Sequence, residues 1–249
     1  MTFSPLEQFS IMKLFTLFLG PFELSFTNSS LLAFLSFSIS LVLLNLACSG
    51  ARLVPGAWQT VFELLYEFVY FSVLSENVKK EGSFYFPILF STFLFIFSCN
   101  LFGMVPYSFT VTSHCVVTVA LASFFFLAIN LVGVRKHGFQ MLGLFLPSGA
   151  PLILAPLLVA IEAVSYSFRI VSLALRLFAN MMSGHCLLKI LAGFAWTMFA
   201  SGGLLSLAHF LPLLVIFAII GLELAIAFLQ AYVFTVLLCI YLNDALNLH

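Results

Sequence analysis

Charged residues are scarce in this sequence. Nine basic and nine acidic residues make up 7% of the 249 residues, whereas about 25% of an ordinary soluble domain is charged. Hydrophobic residues account for 63% of the chain, and the mean hydropathy is +1.20. The scarcity of charge excludes a soluble globular domain. The long apolar runs predict an all-α integral membrane protein that crosses the bilayer several times.

Three further absences narrow the possible functions. The basic and acidic residues balance, so the sequence gives no reason to expect a nucleic-acid partner. There is no GxxxxGK[ST] stretch and no carboxylate set for Mg²⁺, so no nucleotide site is expected. The five cysteines lie singly, without a CxxC pair, and predict neither a disulfide nor a metal site. No cofactor is expected.

Uncharged runs in the first half of the chain predict three crossings and one surface helix. A first span is predicted at 31–50. Residues 57–80 mix glutamates with apolar residues at helical spacing, which is typical of an amphipathic helix lying in the membrane interface. The run 82–134 contains no Asp, Glu, Lys or Arg and is too long for one crossing, and the turn residues Gly103 and Pro106 divide it into a hairpin. The predicted spans of this hairpin are 84–105 and 114–134.

Basic residues set the predicted orientation. Arg52, Lys79 and Lys80 precede the hairpin, and Arg135 and Lys136 follow it. Both ends of the hairpin should therefore face the compartment that retains positive charge. The amino terminus is expected outside and the carboxyl terminus inside.

Two longer apolar segments, 152–198 and 206–247, complete the chain. A helix of about 40 residues is about 60 Å long, whereas the hydrocarbon core of a bilayer is about 30 Å thick. Each segment must therefore tilt steeply, break, or extend into the interface. A steeply tilted pair presents a long face to a neighbour within the membrane.

Polar residues recur on one face of each long segment. Arg176 lies in the stretch RLFANMMSGH, where a permanent charge costs about 2.5 to 3.5 kcal/mol on insertion scales, so a functional role is the default interpretation. Glu162 and Arg169 precede it at intervals of seven residues, a spacing that returns to nearly the same face, and Asn180 shares that sector. The stripe on the second segment consists of His209, Glu223, Gln230 and Asp244.

Folding the two segments back near Gly202 gives two titratable clusters. Histidine and glutamate are suitable proton carriers, because burial and coupling bring a carboxyl pKa toward that of imidazole. A guanidinium has a pKa above about 12 and cannot release its proton. The pattern predicts two proton half-pathways separated by a fixed positive charge. The expected groups are Glu162 with Asp244 toward the inside and His185 with Glu223 toward the outside, with Arg176 between them beside Gln230.

Simpler structural roles stay open at this point. Arg176 could form a salt bridge, with its counter-charge supplied by Glu223 or by another subunit. Arg169 could only line the inner vestibule. Asn180 and Gln230 could join helices by hydrogen bonds.

The same residues carry a resemblance to a known family. RLFANMMSGH resembles the arginine-containing signature of subunit a of the rotary F-type ATP synthases, and the likeness continues through 161–185 and through LELAIAFLQAYVF at 222–234. MVPYSF at 104–109 and SPLEQF at 4–9 resemble the mitochondrial members. The likeness covers nearly the whole chain in order.

The resemblance implies a fold and a mechanism. The fold would consist of one upright amino-terminal helix, a surface amphipathic helix, a tilted hairpin and two long, strongly tilted helices. The two long helices would curve against a ring of c subunits. Arg176 would attract the c-subunit carboxylate and prevent a proton short circuit between two half-channels. The proton-pathway residues would be His185, Glu223, Asn180 and Gln230 for the outer half-channel and Glu162, Asp244 and Arg169 for the inner one.

The resemblance also implies partners and a location. Besides the c-ring, the partners would be the peripheral stalk, other membrane subunits, the lipid bilayer and protons. The chain would not be an enzyme by itself, since ATP chemistry would occur on other subunits. It would lie in the mitochondrial inner membrane, with its amino terminus toward the intermembrane space and its carboxyl terminus toward the matrix.

A self-contained proton-coupled secondary transporter is the main alternative. Such a protein would favour internal inverted repeats and broken helices, but no second copy of the 162–185 pattern occurs. A purely structural membrane scaffold is a third possibility. It would have no need for Arg176, His185 and Glu223 at bilayer depth.

Overall fold

The computed structural model describes residues 4–20, 22–48, 52, 54–78, 80–105, 108–145, 155–203 and 208–247. Some of the positions used above for prediction lie outside this described part of the chain. They are Lys79, Pro106 and the ends of the predicted segments at 49–50, 152–154 and 206–207.

Six α-helices account for most of the described residues. They are α1 (Asn28–Cys48), α2 (Ala57–Glu67), α3 (Phe86–Gly103), α4 (Cys115–His137), α5 (Ala155–Ala200) and α6 (Phe210–Leu246). All except α2 are long and apolar enough to cross a membrane. The prediction of an all-α integral membrane protein is therefore confirmed. Short 3₁₀ turns lie at Pro5–Phe9, Lys80–Tyr85, Val111–Ser113 and Gly138–Phe145.

The long helix α5 runs without a break for 46 residues, a length of about 70 Å at 1.5 Å per residue. Its proline, Pro156, lies in the first turn, where the missing N–H would have no intrahelical partner. Beyond its end, Gly202 and Gly203 adopt φ angles of +69° and +66°, which only glycine reaches without strain. Of the three possibilities that the length allowed, breakage of this helix does not occur.

The predicted amphipathic helix consists of two unlike pieces. In α2 no residue is buried, and Glu63 and Glu67 are exposed. The chain then continues as a π-helix over Phe68–Ser75, in which Val69 and Val73 are completely buried. Glutamates at helical spacing predicted only the exposed face. The π-helical turns carry the second piece into the protein core.

A β-hairpin precedes α1, and no feature of the sequence analysis predicted it. Strand β1 (Lys13–Leu19) pairs antiparallel with β2 (Phe22–Thr27), and Gly20 at the turn has φ +63°. Asn28 fixes the hairpin to α1, because its Oδ1 accepts from Met12 N at 3.3 Å and its Nδ2 donates to Ser10 O at 3.2 Å. The fold therefore adds a small two-stranded element to the predicted helices.

Helix α3 lies at the centre of the packing. Half of its most apolar window is buried, against 11% for α1, α5 and α6. It packs against α1 and α6, while α5 packs against α4 and α6. Aromatic rings fill the contact between the π-helix, α3 and α6, with centroids 5.4 to 6.2 Å apart. These rings are Phe68, Phe93, Phe97, Phe228 and Tyr232. The outer faces of α5 and α6 stay exposed and apolar.

Candidate functional site

Arg169 joins two acids at one end of the α5–α6 contact. Its Nη1 lies 3.4 Å from Asp244 Oδ2 on α6, and its Nη2 lies 3.8 Å from Glu162 Oε1 on α5. Glu162 reaches the same guanidinium because seven residues separate the two positions, which is nearly two full helical turns. Glu162 and Asp244 thus lie in one group, with Arg169 between them.

Aromatic rings hold this guanidinium in place. Arg169 Cζ lies 5.4 Å from the ring centroid of Tyr166 and 5.5 Å from that of Tyr241, distances at which a cation is attracted to an aromatic face. The Tyr166 hydroxyl in turn donates to Asn130 Oδ1 on α4 at 2.5 Å. With its side chain 31% exposed, Arg169 is a partly exposed bridge between the two acids. Arg169 therefore does more than line a vestibule, because it also contacts Glu162 and Asp244.

Glu223 is the most enclosed acid of the site. Its side chain lies on α6, the residue is 5% exposed, and neither carboxyl oxygen has a hydrogen-bond partner among the described residues. The neighbouring α5 residue is Gly184, where an added β-carbon would lie 2.9 Å from Glu223 Cδ. A carboxyl group in such surroundings is costly unless it has a function or a partner. The glycine provides the space that this group occupies.

His185 follows Gly184 directly and is half-buried. Its Nε2 is buried and has no hydrogen-bond partner among the described residues, and its ring meets Phe9 edge-on with centroids 6.5 Å apart. The structure therefore places His185 beside the residue that touches Glu223. No hydrogen bond joins the two side chains.

Arg176 lies between these two groups on the exposed side of α5. Along the helix axis it is about 10 Å from Arg169 and about 14 Å from His185, at 1.5 Å per residue. Among the described residues its guanidinium forms no salt bridge, and Glu223 is not its counter-ion. Within the described part of the chain, no acid therefore balances the charge of Arg176.

The polar neighbours of Arg176 do not join the helices. Asn180 is half-buried and Gln230 is 8% exposed. Among the hydrogen bonds between described residues, neither side-chain amide takes part. Helix bridging is therefore not their role within the described structure.

Small side chains surround Arg176 on the exposed face of α5. Ser172 precedes Arg176 by four residues, Ala179 and Ser183 follow it by three and seven, and all three are exposed there. Small residues let the backbone of a neighbouring helix approach closely. This face can therefore receive another helix next to the unpaired charge.

Asn100 belongs to the site, although the sequence analysis did not single it out. It is completely buried on α3, where its Nδ2 donates to Ala227 O at 3.3 Å and its Oδ1 accepts from Thr112 Oγ1 at 3.0 Å. Ala227 lies one turn after Glu223, so Asn100 holds the acid-bearing part of α6 against α3. A lone asparagine inside an uncharged span is a usable signal, because amides in membrane helices usually join neighbours.

The described residues contain no group of three or more His, Cys, Asp or Glu side chains that could hold a metal ion. The Glu162/Arg169/Asp244 group is partly exposed, whereas Glu223 of the His185/Glu223 group is buried. Arg176, which forms no salt bridge among the described residues, lies between the two groups along α5.

Comparison with known proteins gives consistent matches over the whole chain. The sequence matches the model of the family described as "ATP synthase A chain" over residues 30–243. It is 51% identical over 253 residues to "ATP synthase subunit a" of Marchantia polymorpha, covering 100% of both chains. It is also 51% identical to the protein of that name from Chondrus crispus over 246 residues, and to that from Brassica napus over 255 residues. In both cases the match covers 99% of this chain and 97% of the relative.

Proposed function

The chain belongs to the family of subunit a of the F-type ATP synthases, and on that premise we propose that it forms two offset proton half-channels against a c-ring. The family is the membrane part of the complex and not a catalytic subunit, so the chain is not an enzyme by itself. In this proposal it is the stator against which the ring turns. Its other partners are the peripheral stalk and further membrane subunits.

One observation carries the proposal. Arg176 lies exposed and without an intrachain salt bridge among the described residues, between the Glu162/Arg169/Asp244 group and the His185/Glu223 group on one unbroken helix. An unpaired guanidinium in an apolar helix needs a negative partner. A carboxylate on a neighbouring, moving helix supplies that partner, and the small residues around Arg176 give it room to approach.

The proposed mechanism uses the two groups in sequence. A proton passes through His185 and Glu223 to a c-ring carboxylate that has just left Arg176. The neutralised carboxyl can face lipid, and the ring turns until the carboxyl reaches the Glu162/Asp244 group and releases its proton. Arg176 cannot accept or release a proton at physiological pH, so it blocks direct passage between the groups. Each proton that crosses contributes about 2.3 kcal/mol per 100 mV.

The remaining polar residues have supporting roles in this proposal. Asn180 and Gln230 provide hydrogen-bonding groups for water near Arg176 and the outer half-channel. Arg169 keeps the two inner acids in place without closing the group to water. The proposed location is the mitochondrial inner membrane, with the amino terminus toward the intermembrane space and the carboxyl terminus toward the matrix.

Reconstitution separates this function from the secondary transporter. Purified chain in liposomes should show no coupled proton transport, whereas vesicles with the complete synthase should couple proton flow to ATP synthesis. Substrate-coupled proton movement by the chain alone would contradict the proposal. The unbroken course of α5 already disfavours a transporter, whose binding site is typically formed by interrupted helices.

Within the complete synthase, Glu223→Gln tests the outer group directly. It should slow proton-driven ATP synthesis, because the amide cannot pass on a proton. Glu63→Gln is the matched control, since Glu63 is exposed on α2 and lies in neither group. Equal rates for Glu223→Gln and the unmodified complex would remove Glu223 from the pathway.

A further inference from the structure

Buried polar atoms without hydrogen-bond partners are concentrated at one place. Five such side-chain atoms occur among the described residues: Gln8 Nε2, His114 Nε2, His185 Nε2 and both carboxyl oxygens of Glu223. His114 stacks on Phe109 near the start of α4. Three of the other four atoms belong to His185 and to Glu223, whose carboxyl group lies against Gly184, and the fourth belongs to Gln8, the residue before Phe9, whose ring meets that of His185.

The amino-terminal 3₁₀ turn Pro5–Phe9 packs on this stretch of α5. The Phe9 ring meets the His185 ring edge-on at 6.5 Å between centroids. Lys189 Nζ donates to Ser4 O at 3.4 Å. Since His185 and Lys189 are four residues apart, both contacts come from one face of α5. The turn therefore covers the face of α5 that carries His185 and Lys189.

Within this turn, the side chains of Glu7 and Gln8 differ in exposure. Glu7 is exposed, whereas Gln8 is half-buried and its Nε2 atom is fully enclosed. A buried amide nitrogen without a protein partner takes its hydrogen bonds from ordered water. Because a glutamine amide offers both donors and an acceptor, it can hold such water on either side of itself.

We propose that the turn Pro5–Phe9 closes the outer end of the His185/Glu223 group, and that Gln8 is a positioning residue that orders water leading to His185. This inference rests on the proposed function. In its outer half-channel, the turn Pro5–Phe9 would form one side and the Gln8 amide would supply a hydrogen-bonding group. Gln8 carries no proton itself, since its amide does not titrate. The titratable and charged groups near the turn are His185, which meets Phe9, Lys189, which donates to Ser4 O, and Glu223, which lies against Gly184; Glu7 is the exposed acid of the turn itself.

The experiment uses the complete synthase in liposomes and measures ATP synthesis driven by an imposed proton gradient. Gln8→Leu keeps the size of the side chain but removes its hydrogen bonds, and it should lower the rate about tenfold, the effect of one lost hydrogen bond to a buried group. Glu7→Gln is the matched control in the same turn. It should leave the rate unchanged, because the Glu7 side chain is exposed whereas the Gln8 amide nitrogen is buried.

A second variant provides a measurement that a purely structural role would not alter. Gln8→Glu places a titratable group beside the water path, so the rate should acquire a new dependence on the pH of the outer side, in the range where a carboxyl group titrates. If Gln8→Leu prevents assembly of the complex, the pH profile of Gln8→Glu is sufficient to test the role of Gln8.

Each outcome has a separate meaning. An unaltered rate in Gln8→Leu, or a pH profile of Gln8→Glu identical to that of the unmodified complex, overturns the role of Gln8. If Glu223→Gln slows synthesis in the same preparation, the outer half-channel stands without Gln8. If Glu223→Gln also has no effect, the failure lies in the proposed function.

Discussion

Gly184 on α5 lies against the carboxyl group of Glu223 on α6, so closely that a β-carbon at position 184 would be 2.9 Å from Glu223 Cδ and 3.2 Å from Cγ. Real β-carbons essentially never come within 3.0 Å of a non-bonded heavy atom from another part of the chain. With a side chain at position 184, the flexible end of Glu223 would have to move away from the place it now occupies. The position of the Glu223 carboxyl group, the proposed proton carrier, therefore depends on this glycine.

Gly184→Ala should therefore displace the Glu223 side chain. This displacement should cost little stability, because only the flexible end of the Glu223 side chain has to move. Misplacing a reacting group lowers a rate strongly even when the fold is intact, so we expect proton-driven ATP synthesis by the complete complex to fall about tenfold or more. The control is Gly193→Ala on the same helix, where an added β-carbon meets nothing within 4 Å. That variant should gain up to about 1 kcal/mol from helix propensity. Equal activities of the two variants would show that the contact at position 184 is irrelevant to function.

Arg176→Ala should abolish proton-driven synthesis while the complex still assembles. The guanidinium forms no salt bridge among the described residues, so its removal breaks no internal ion pair, and stability should change little. Measurements of ATP synthesis and of subunit content after purification test both statements. The matched control is Arg135→Ala, an exposed arginine in the last turn of α4. Near-normal synthesis in Arg176→Ala would contradict the proposed barrier.

The ion pair between Arg169 and Asp244 should show modest coupling in a double-mutant cycle. Its atoms are 3.4 Å apart and the side chains are 31% and 37% exposed, so the pair should contribute no more than about 1 kcal/mol. The cycle combines Arg169→Met with Asp244→Asn and measures unfolding of the purified protein in detergent. Arg169→Met should cost more than Asp244→Asn, because it also removes the contacts with Tyr166 and Tyr241. A coupling energy near zero would mean that the pair does not hold α5 to α6.

Thr112→Val should destabilise the protein through Asn100. The hydroxyl of Thr112 donates to Asn100 Oδ1 at 3.0 Å, and its loss leaves a buried acceptor unsatisfied, at a cost of about 1 to 3 kcal/mol. Thr118→Val is the control of equal size, since Thr118 is also buried but donates only to Cys115 O within its own helical turn. Thermal unfolding in detergent compares the two. Equal losses would mean that the Asn100 contact has no special weight.

Much of the fold follows from the distribution of charge along the chain. Uncharged runs mark where helices can cross a membrane, because no charged side chain there needs water. Seven-residue spacing brought Glu162 and Arg169 to one face, and the return of the chain near Gly202 brought Asp244 to them. Spacing alone could not predict that Arg169 contacts both acids. It places Glu162, Arg169 and Asp244 near one another but does not show that the arginine lies between the two carboxylates.

Other features depend on contacts that local sequence patterns do not reveal. The β-hairpin at 13–27 has apolar residues on both faces, so it lacks the alternation that usually predicts a strand. The π-helix Phe68–Ser75 has the same residue types as an α-helix. Docking of the Pro5–Phe9 turn on α5 joins parts of the chain about 176 residues apart, as the contact between Phe9 and His185 shows. Such distant pairings leave no periodic signal.

The unbroken course of α5 fixes the spacing of everything it carries. From Glu162 to His185 the helix rises about 35 Å at 1.5 Å per residue, and there is no proline or interruption between them to absorb strain. One continuous helix therefore holds His185, Arg176 and Glu162 at fixed distances and angles from one another. Inserting a single residue anywhere along this interval would rotate one end by about 100° relative to the other, so Glu162 and His185 would no longer keep their present angular relation around α5.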